Sequence, residues 1–244
     1  MRRLLLLIAT LLVAAHPAFA QGWTGRARVS ISGGAQIDTT RLSESITLTK
    51  YVEPAPVTAE VPKGALPFVD LGVALRLAGN LGAGVSVSYL TNREEAEVTA
   101  QIPHPFYFNQ LRPISGTVSG VLHKELATHT NLVYLIASPR IDLMLSGGAS
   151  FFQVEQGFVS DVLYAEAYPY DAASFLDATL TRERESKVGY NAGADVTWKF
   201  SRRLGLGGLI RFSRARVPFA VGELDAGTVK VGGLQAGGGL RLLF

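Results

Sequence analysis

Beyond residue 20, apolar residues alternate one by one with small or polar residues along most of the chain. A repeat of two residues is typical of β-strands, because successive side chains of a strand point to opposite faces. The clearest example is the segment 188–200, where every second residue is Val, Tyr, Ala, Trp or Phe. The longest apolar run in this part, 132–137, is much shorter than the roughly 18 residues that a membrane-spanning helix needs. The pattern therefore predicts an all-β protein and excludes a bundle of transmembrane helices.

The two faces of these segments have opposite chemistry. One carries large apolar residues, and the other carries mostly Gly, Ser and Asn with isolated charges. A soluble sandwich packs its apolar face inward, whereas a membrane barrel turns that face to lipid and lines its lumen with small and polar residues. Closing the sheet also pairs the backbone groups that lipid cannot satisfy. We therefore predict an eight-stranded antiparallel transmembrane β-barrel with long extracellular loops, whose strands lie near 26–36, 70–77, 81–89, 122–136, 141–151, 188–200, 204–212 and 234–244.

Composition excludes several other classes. Only 18% of the residues are charged, against about 25% in soluble domains. The absence of cysteine excludes disulfides, thiolate metal sites and a cysteine nucleophile. Beyond residue 20, 21 basic residues face 20 acidic ones, since two of the 23 basic residues are Arg2 and Arg3. The resulting net charge of about +1 offers no basic surface for nucleic acid.

The first 20 residues have the pattern of an export signal. Arg2 and Arg3 precede an apolar core from Leu4 to Ala15, and Ala18-Phe19-Ala20 matches the small-x-small cleavage pattern. We predict cleavage after Ala20, leaving residues 21–244 as one outer-membrane β-barrel domain.

The connections between the strands alternate in length. Those at 78–80, 137–140 and 201–203 are tight, whereas longer stretches lie between them, at approximately 38–66, 91–121, 157–186 and 214–228. Outer-membrane barrels alternate short periplasmic turns with long extracellular loops in this way. An even number of strands then places both chain termini in the periplasm.

Charged and polar residues on the small-residue face predict a salt-bridge and hydrogen-bond network that fills the lumen, because a charge in a narrow lumen must be paired. The aspartates are the natural partners of the arginines, and His123 and Glu125 share their face. The predicted members are Asp70, Arg76, His123, Glu125, Asp142, Asp195, Arg211 and Arg241.

Catalytic and metal-binding constellations are sparse in this sequence. His123 and His129 lie six residues apart, which is about 20 Å along a strand and too far to share a metal ion. His104 stands in a proline-rich loop without an acidic neighbour in the sequence, although a general base needs an orienting partner. We therefore expect no metal, no cofactor and no catalytic residue, and predict that the protein is not an enzyme.

The export signal, the alternating strands and the terminal Leu240-Arg241-Leu242-Leu243-Phe244 together resemble small Gram-negative outer-membrane β-barrel proteins, the eight-stranded class of OmpA and OmpW. The resemblance implies a location in the outer membrane, among outer-membrane lipids and lipopolysaccharide. It also implies that Phe244 is part of the signal read by the barrel-assembly machinery.

Two of the long connections are rich in aromatic residues. The candidates for contact with an extracellular ligand are Phe106, Tyr107, Phe108, Tyr164, Tyr168 and Tyr170, because exposed aromatic side chains favour binding. Strand extensions that fold these aromatics into a cap are the other interpretation. We expect a structural or surface-interaction protein with an occluded lumen; the alternative is a conduit or binder for small hydrophobic molecules. A barrel enzyme acting on lipid A or peptides is the least favoured alternative.

Overall fold

Eight strands close into a ring in which each strand is antiparallel to both of its neighbours. The computed structural model describes residues 25–37, 42–62, 64–221 and 224–244. These residues form the strands β1 (Ala27–Ile37), β2 (Leu42–Lys50), β3 (Glu53–Val61), β4 (Ala65–Ala78), β5 (Leu81–Pro103), β6 (Leu111–Ala137), β7 (Ile141–Glu166), β8 (Ala173–Lys199), β9 (Leu204–Val221) and β10 (Leu224–Leu243).

The ring runs β1-β4-β5-β6-β7-β8-β9-β10, and β1 closes it by pairing with β10 from Arg28–Leu243 to Ile37–Leu234. Phe244 extends this closure, since its N–H donates to the carbonyl of Ala27 over 2.9 Å. The prediction of an all-β, eight-stranded antiparallel barrel is confirmed.

The predicted export signal and its cleavage site after Ala20 lie outside the described residues. Among the residues that the structure does describe, no helix is long and apolar enough to cross a membrane.

An apolar belt surrounds the half of the barrel that carries the short turns, which we call the turn end. On β4, Leu71, Val73 and Leu75 point outward and are exposed, whereas Asp70 and Gly72 point inward and are buried. Exposed aromatics border the belt in two rows, of which the first includes Trp198 and Phe200, and the second Tyr89, Phe151, Tyr190 and Phe212. From Trp198 to Tyr190 is about 26 Å along the strand. At a tilt near 40° this is a height of about 20 Å, comparable with the apolar band of outer-membrane barrels.

Close approach of the strands in the belt requires glycine at particular positions. A Cβ atom on Gly239 of β10 would lie 1.9 Å from the carbonyl oxygen of Ile31 on β1. The same is true of Gly148 on β7, whose Cβ would lie 1.9 Å from the carbonyl oxygen of Thr130 on β6. Glycine at these positions therefore lets the backbones of neighbouring strands meet.

The segments predicted as long loops are mostly strand. β5 and β6 remain paired up to Pro103 and Leu111, and β7 and β8 up to Glu166 and Ala173. Short connections at 104–110 and 167–172 join them. The extension is stable because these parts of the strands enclose an apolar core of their own.

This core arises because the apolar residues change from the outward to the inward face of the wall, while the two-residue alternation continues. Along β5 the even-numbered residues point inward throughout, but Ser86 and Ser88 give way to Leu90, Ala96 and Val98. β7 changes in the same way from Ser150 to Phe152 and Val154, and β9 from Ser213 to Ala215 and Val217. The outward face changes in the opposite direction, from Val87 and Tyr89 to Arg93 and Glu95.

The part of the barrel beyond this exchange is called the head, and it comprises 42–61, 90–121, 152–189, 215–221 and 224–231. Phe158 and Phe219 meet at its centre, with ring centroids 5.1 Å apart and almost no exposed surface. Each such buried side chain contributes about 1.5–3 kcal/mol of transfer free energy. The head therefore has an apolar core, as a soluble β-protein does. The barrel below it has a polar lumen and an apolar outer surface.

The β2–β3 hairpin completes the wall of the head. β4 stops pairing with β5 at Leu90, and β3 takes its place by pairing Val57–Glu60 with Glu97–Ala100. Ile46 of β2 and Val57 of β3 bury their side chains in the head core. The hairpin thus covers the edge that β4 leaves open.

Candidate functional sites in the lumen and at the distal tip

The lumen at the turn end holds a network of buried charges. Arg28 bonds Asp142 over 2.6 Å, and Lys199 reaches the other oxygen of Asp142 over 2.8 Å. Arg241 holds Asp195 through two nitrogens, at 2.5 and 3.0 Å from one carboxylate oxygen. Arg28 also lies 3.9 Å from Asp195 and joins the two pairs. The network ties together β1, β7, β8 and β10, which are not all neighbours in the ring.

A second group of lumen contacts surrounds Arg211. Its guanidinium donates to Asp70 over 2.5 Å, to Ser86 over 2.8 Å and to Gln235 over 2.8 Å, so that each of its three nitrogens has an acceptor. Gln235 in turn donates to Gln36 over 2.7 Å. These bonds bridge the lumen between β9 and β4, and all five side chains except that of Ser86 are fully buried.

A third group of polar lumen residues lies next to the head core, on the side of the turn end. His129 contacts Ser88 over 3.1 Å and Ser150 over 2.7 Å. His123 contacts Gln156 over 2.7 Å, and its Nε2 lies 4.0 Å from Glu125. A Glu125 oxygen also accepts a hydrogen bond from the backbone N–H of Gly232 on the opposite wall. The polar lumen therefore ends in a layer that faces apolar side chains.

Of the eight residues predicted for the lumen network, the structure buries seven and places Arg76 elsewhere. Arg76 is exposed at the turn end, where its Nε donates to the carbonyl of Gly79 over 3.0 Å. The reason is local: Arg76 keeps the inward parity of β4, but it pairs with Gly82 at the last regular position before the turn, where the rim of the barrel leaves its side chain exposed. Placing Arg76 in the network was wrong.

Arg28 and Lys199 are members of the network that the sequence reasoning did not select. Both lie on the small-residue face of an alternating strand, as the predicted members do. Counting every charge on that face would have found them. Within the described residues, no cluster of three or more histidines or carboxylates has a geometry that could hold a metal ion.

Side chains leave little open space in the lumen. The cavity beside Arg28, Ser32, Asn131 and Arg241 has a volume of about 50 Å³. A buried water needs roughly 10–15 Å³ on this measure, so the cavity has room for only a few water molecules.

The distal tip of the head carries the predicted aromatic candidates. Phe106, Tyr107 and Phe108 are 69%, 62% and 79% exposed, and Tyr168 is 85% exposed. Tyr164 is half-buried and packs against the head core, and Tyr170 is half-buried with its ring 5.5 Å from that of Phe106. The two interpretations drawn from the sequence therefore divide the residues. Phe106, Tyr107, Phe108 and Tyr168 are exposed, Tyr164 packs inward against the head core, and Tyr170 packs against the exposed ring of Phe106.

Buried polar side chains hold the tip loops in place. His104 is buried, and its Nδ1 accepts hydrogen bonds from the backbone N–H groups of Phe106 and Tyr107, over 3.1 and 3.3 Å. Nδ1 is therefore the unprotonated nitrogen. Its Nε2 lies 4.0 Å from Asp171 in the neighbouring loop, a contact that the sequence order hides.

Arg112 links the two loops and is also buried. It donates to the carbonyls of Pro103, over 2.8 Å, and Tyr170, over 2.9 Å, and forms an ion pair with Glu166 over 2.7 Å. Tyr51, at the turn of the β2–β3 hairpin, donates its hydroxyl to Glu166. This hydrogen bond is the main cause that raises the pKa of Tyr51 above its usual range. Three hairpins are thereby fastened at one point.

The backbone of the tip is strained where these bonds converge. Tyr51, Val52, Asn109 and Tyr170 have φ angles of 49°, 68°, 60° and 72°, a region that residues other than glycine rarely adopt. Such conformations persist only where the surroundings enforce them. The exposed aromatics are therefore presented by a rigid platform.

Comparison with protein-family models and with curated proteins gives no match. Among solved structures, the chain is similar to Neisserial surface protein A (NspA), with 9% identity, a TM-score of 0.45, and coverage of 89% of this chain and 97% of that one. It is similar to Ail, the attachment invasion locus protein of Yersinia pestis, solved with the heparin analogue sucrose octasulfate, with 11% identity, a TM-score of 0.40, and coverage of 88% and 99%. It is also similar to the outer membrane protease OmpT from Escherichia coli, with 9% identity, a TM-score of 0.49, and coverage of 90% and 97%.

These comparisons correct one prediction. We predicted from the sequence that the protein is not an enzyme, and that prediction is wrong as drawn. An outer membrane protease is among the structures that the chain resembles, so an architecture of this kind does not exclude catalysis.

Proposed function

We propose that the protein is an outer-membrane β-barrel whose head displays a rigid aromatic tip for contact with a protein on another surface. The observation that carries the proposal is the tip itself, where Phe106, Tyr107, Phe108 and Tyr168 are exposed on loops fastened by Arg112. Loops that buried side chains already hold in place need no further ordering when a partner binds, and this lowers the entropic cost of association.

The proposed location in the outer membrane is supported by the apolar belt and its aromatic borders. A belt of this kind fits contact with lipid, because contiguous exposed apolar surfaces are rare in soluble monomers and mark membrane or protein contacts. Residues 1–20 would direct export and be removed after Ala20. Phe244, paired to the first strand and exposed on the outside, would belong to the signal read by the barrel-assembly machinery.

The strands are long enough to lift the tip well clear of a membrane. From Tyr190, in the distal aromatic row, β8 continues to Ala173 at the tip. At about 3.3 Å per residue and a tilt near 40°, this corresponds to a height of roughly 40 Å. A contact surface at that height meets molecules outside the cell before the lipid surface does.

A protein is the partner that the composition of the tip favours. Aromatic side chains are enriched at the centres of protein interfaces. The alternative predicted from the sequence, a conduit for small hydrophobic molecules, would need open space along the axis. The head interior is instead filled by packed side chains such as Phe158 and Phe219.

Attachment of cells that express the protein, to a surface coated with host or bacterial protein, tests the proposal. Replacing Phe106, Phe108 and Tyr168 by Ala should abolish attachment, while the protein still folds. Leu163→Ala with Leu176→Ala is the matched control, because both leucines are exposed on the side wall of the head. Attachment that survives the tip variant, or that is lost equally in the control, would contradict the proposal. Attachment to glycan-coated but not protein-coated surfaces would assign the tip to a carbohydrate instead.

A further inference from the structure

A notch opens in the outer wall where β8 and β9 part. Their ladder runs from Lys199–Gly205 to Tyr190–Arg214 and goes no further. Beyond that point β8 continues to pair with β7, and β9 continues to pair with β10. The two strands therefore diverge at the boundary between the belt and the head.

The notch is a groove of about 520 Å³ on the outside of the barrel. Its lining divides into an apolar half and a basic half, and consists of Val188, Gly189, Tyr190, Phe212, Arg214, Ala215, Arg216 and Lys230. Tyr190 and Phe212, whose ring centroids are 6.4 Å apart, belong to the distal aromatic row of the belt. The cations lie on the next residues along β9 and β10, on the side of the head.

The cations of the groove repel one another. Arg216 and Lys230 occupy directly opposite positions in the β9–β10 register, and both are exposed on the outward face. Like charges at opposite positions destabilise a sheet. Arg214 adds a third positive charge two residues away on the same face. In the described part of the chain, no carboxylate lies within ion-pair distance of these three side chains.

A second outward groove at the same height shows the contrast. It is lined by Tyr89, Lys124, Glu155 and Arg184 among others, and has a volume of about 320 Å³. There Arg184 forms an ion pair with Glu155 over 2.8 Å, and Lys124 lies over the ring of Tyr89. The cations of the second groove have partners within the protein.

We propose that the β8–β9 groove binds the phosphate group of a membrane lipid from the leaflet that surrounds the barrel. The phosphate lies between Arg214, Arg216 and Lys230, and the acyl chains run along Tyr190 and Phe212 into the belt. One anion relieves the repulsion of all three cations, and charge-assisted hydrogen bonds to phosphate are strong. The depth of the groove, at the border of the apolar belt, matches the depth of a lipid headgroup. This inference rests on the membrane location proposed above.

Binding of lipid A to the purified barrel in nonionic detergent tests the inference. Diphosphorylated lipid A, the same lipid without phosphates, and inorganic phosphate are the probes, and native mass spectrometry counts the lipids bound. The test variant is Arg216→Gln with Lys230→Gln. The matched control is Lys124→Gln with Arg184→Gln in the second groove.

We expect the test variant to bind diphosphorylated lipid A about tenfold more weakly or worse, as the loss of two charge-assisted contacts predicts. The control should keep its affinity, and the wild type should bind the dephosphorylated lipid weakly. Equal losses in both variants, or equal binding of both lipids, would overturn the inference. Competition by inorganic phosphate at equal concentration would assign the groove to free phosphate and would overturn it as well.

Flotation of the same variants with lipid vesicles separates the two proposals. If the wild-type protein fails to float with the vesicles, the membrane location is wrong. If every variant floats but the affinities do not differ, only the lipid site is wrong.

Discussion

Replacing Asp70 by Asn would leave the buried guanidinium of Arg211 without its counter-charge. Both side chains are 3–4% exposed, and the ion pair between them is 2.5 Å long. Breaking a buried pair by removing one partner costs about 3–5 kcal/mol. Asn can still accept the hydrogen bond that Arg211 donates, so we expect the lower end of this range. About 3 kcal/mol is a large share of the stability of a domain.

Removing both charges should restore most of the loss. Arg211→Met keeps an unbranched side chain in place of the aliphatic stem and discards the cation, so the double variant with Asp70→Asn leaves neither charge of this pair in the lumen. Buried pairs replaced by neutral groups of similar volume are often neutral in stability. We therefore expect the double variant to lie within about 2 kcal/mol of the wild type. The interaction energy in the double-mutant cycle should then be large.

Urea titration of the barrel folded into lipid vesicles measures these free energies. The folded fraction is read from the faster gel mobility of the unheated barrel, and the midpoint and slope give the free energy of unfolding. If the double variant is as unstable as the sum of its two single variants, Asp70 and Arg211 do not act as a pair. The reasoning on lumen charges would then be refuted.

Three further predictions concern other parts of the molecule. Gly239→Ala should lower the urea midpoint because its Cβ would collide with the carbonyl of Ile31, whereas Gly64→Ala, with open space around it, should not. Burial raises the pKa of Glu44 to about 7, against a backbone hydrogen bond that lowers it. The folded pKa exceeds the ordinary 4.5, so this contribution to stability is complete below about pH 4.5 and is lost as the pH rises to about 7. Proteolysis of the β2–β3 hairpin should therefore be faster at pH 8 than at pH 5, and Glu44→Gln should remove the difference. In planar bilayers the barrel should give no large steady conductance, because the lumen cavity is only about 50 Å³; large open-channel currents would contradict the occluded lumen.

The ring of strands could be predicted from the sequence because alternation and outward apolar residues are local properties. The lumen face followed from the same alternation, so Asp142 and Asp195 could be placed there from residue parity alone. Arg76 has the same parity, but parity does not show that it lies at the rim of the barrel beside the turn, where its side chain is exposed.

The head was harder to predict because its alternation has the opposite sense. In β5 the buried inward residues Leu90, Ala96 and Val98 are apolar, and the outward face carries charges such as Arg93 and Glu95. A search for outward apolar residues alone therefore assigns this part of the strand to a polar loop. The alternation of Ala96, Val98, Ala100 and Ile102 is nevertheless visible in the sequence. The contact between His104 and Asp171 could not be predicted from the sequence, since the two residues are 67 positions apart and only the folded tip brings them together.

The head and the belt share continuous strands, and this continuity determines how the molecule carries mechanical load. A pulling force at the 167–172 connection runs down β7 and β8 into the part of the barrel held by lipid. There the hairpin is bonded to β6 from His123–Gln156 to Ala137–Asp142, and to β9 from Tyr190–Arg214 to Lys199–Gly205. The hydrogen bonds of antiparallel strands lie perpendicular to the strands, so the force loads them in shear, all at once. The tip is thereby anchored along two whole ladders.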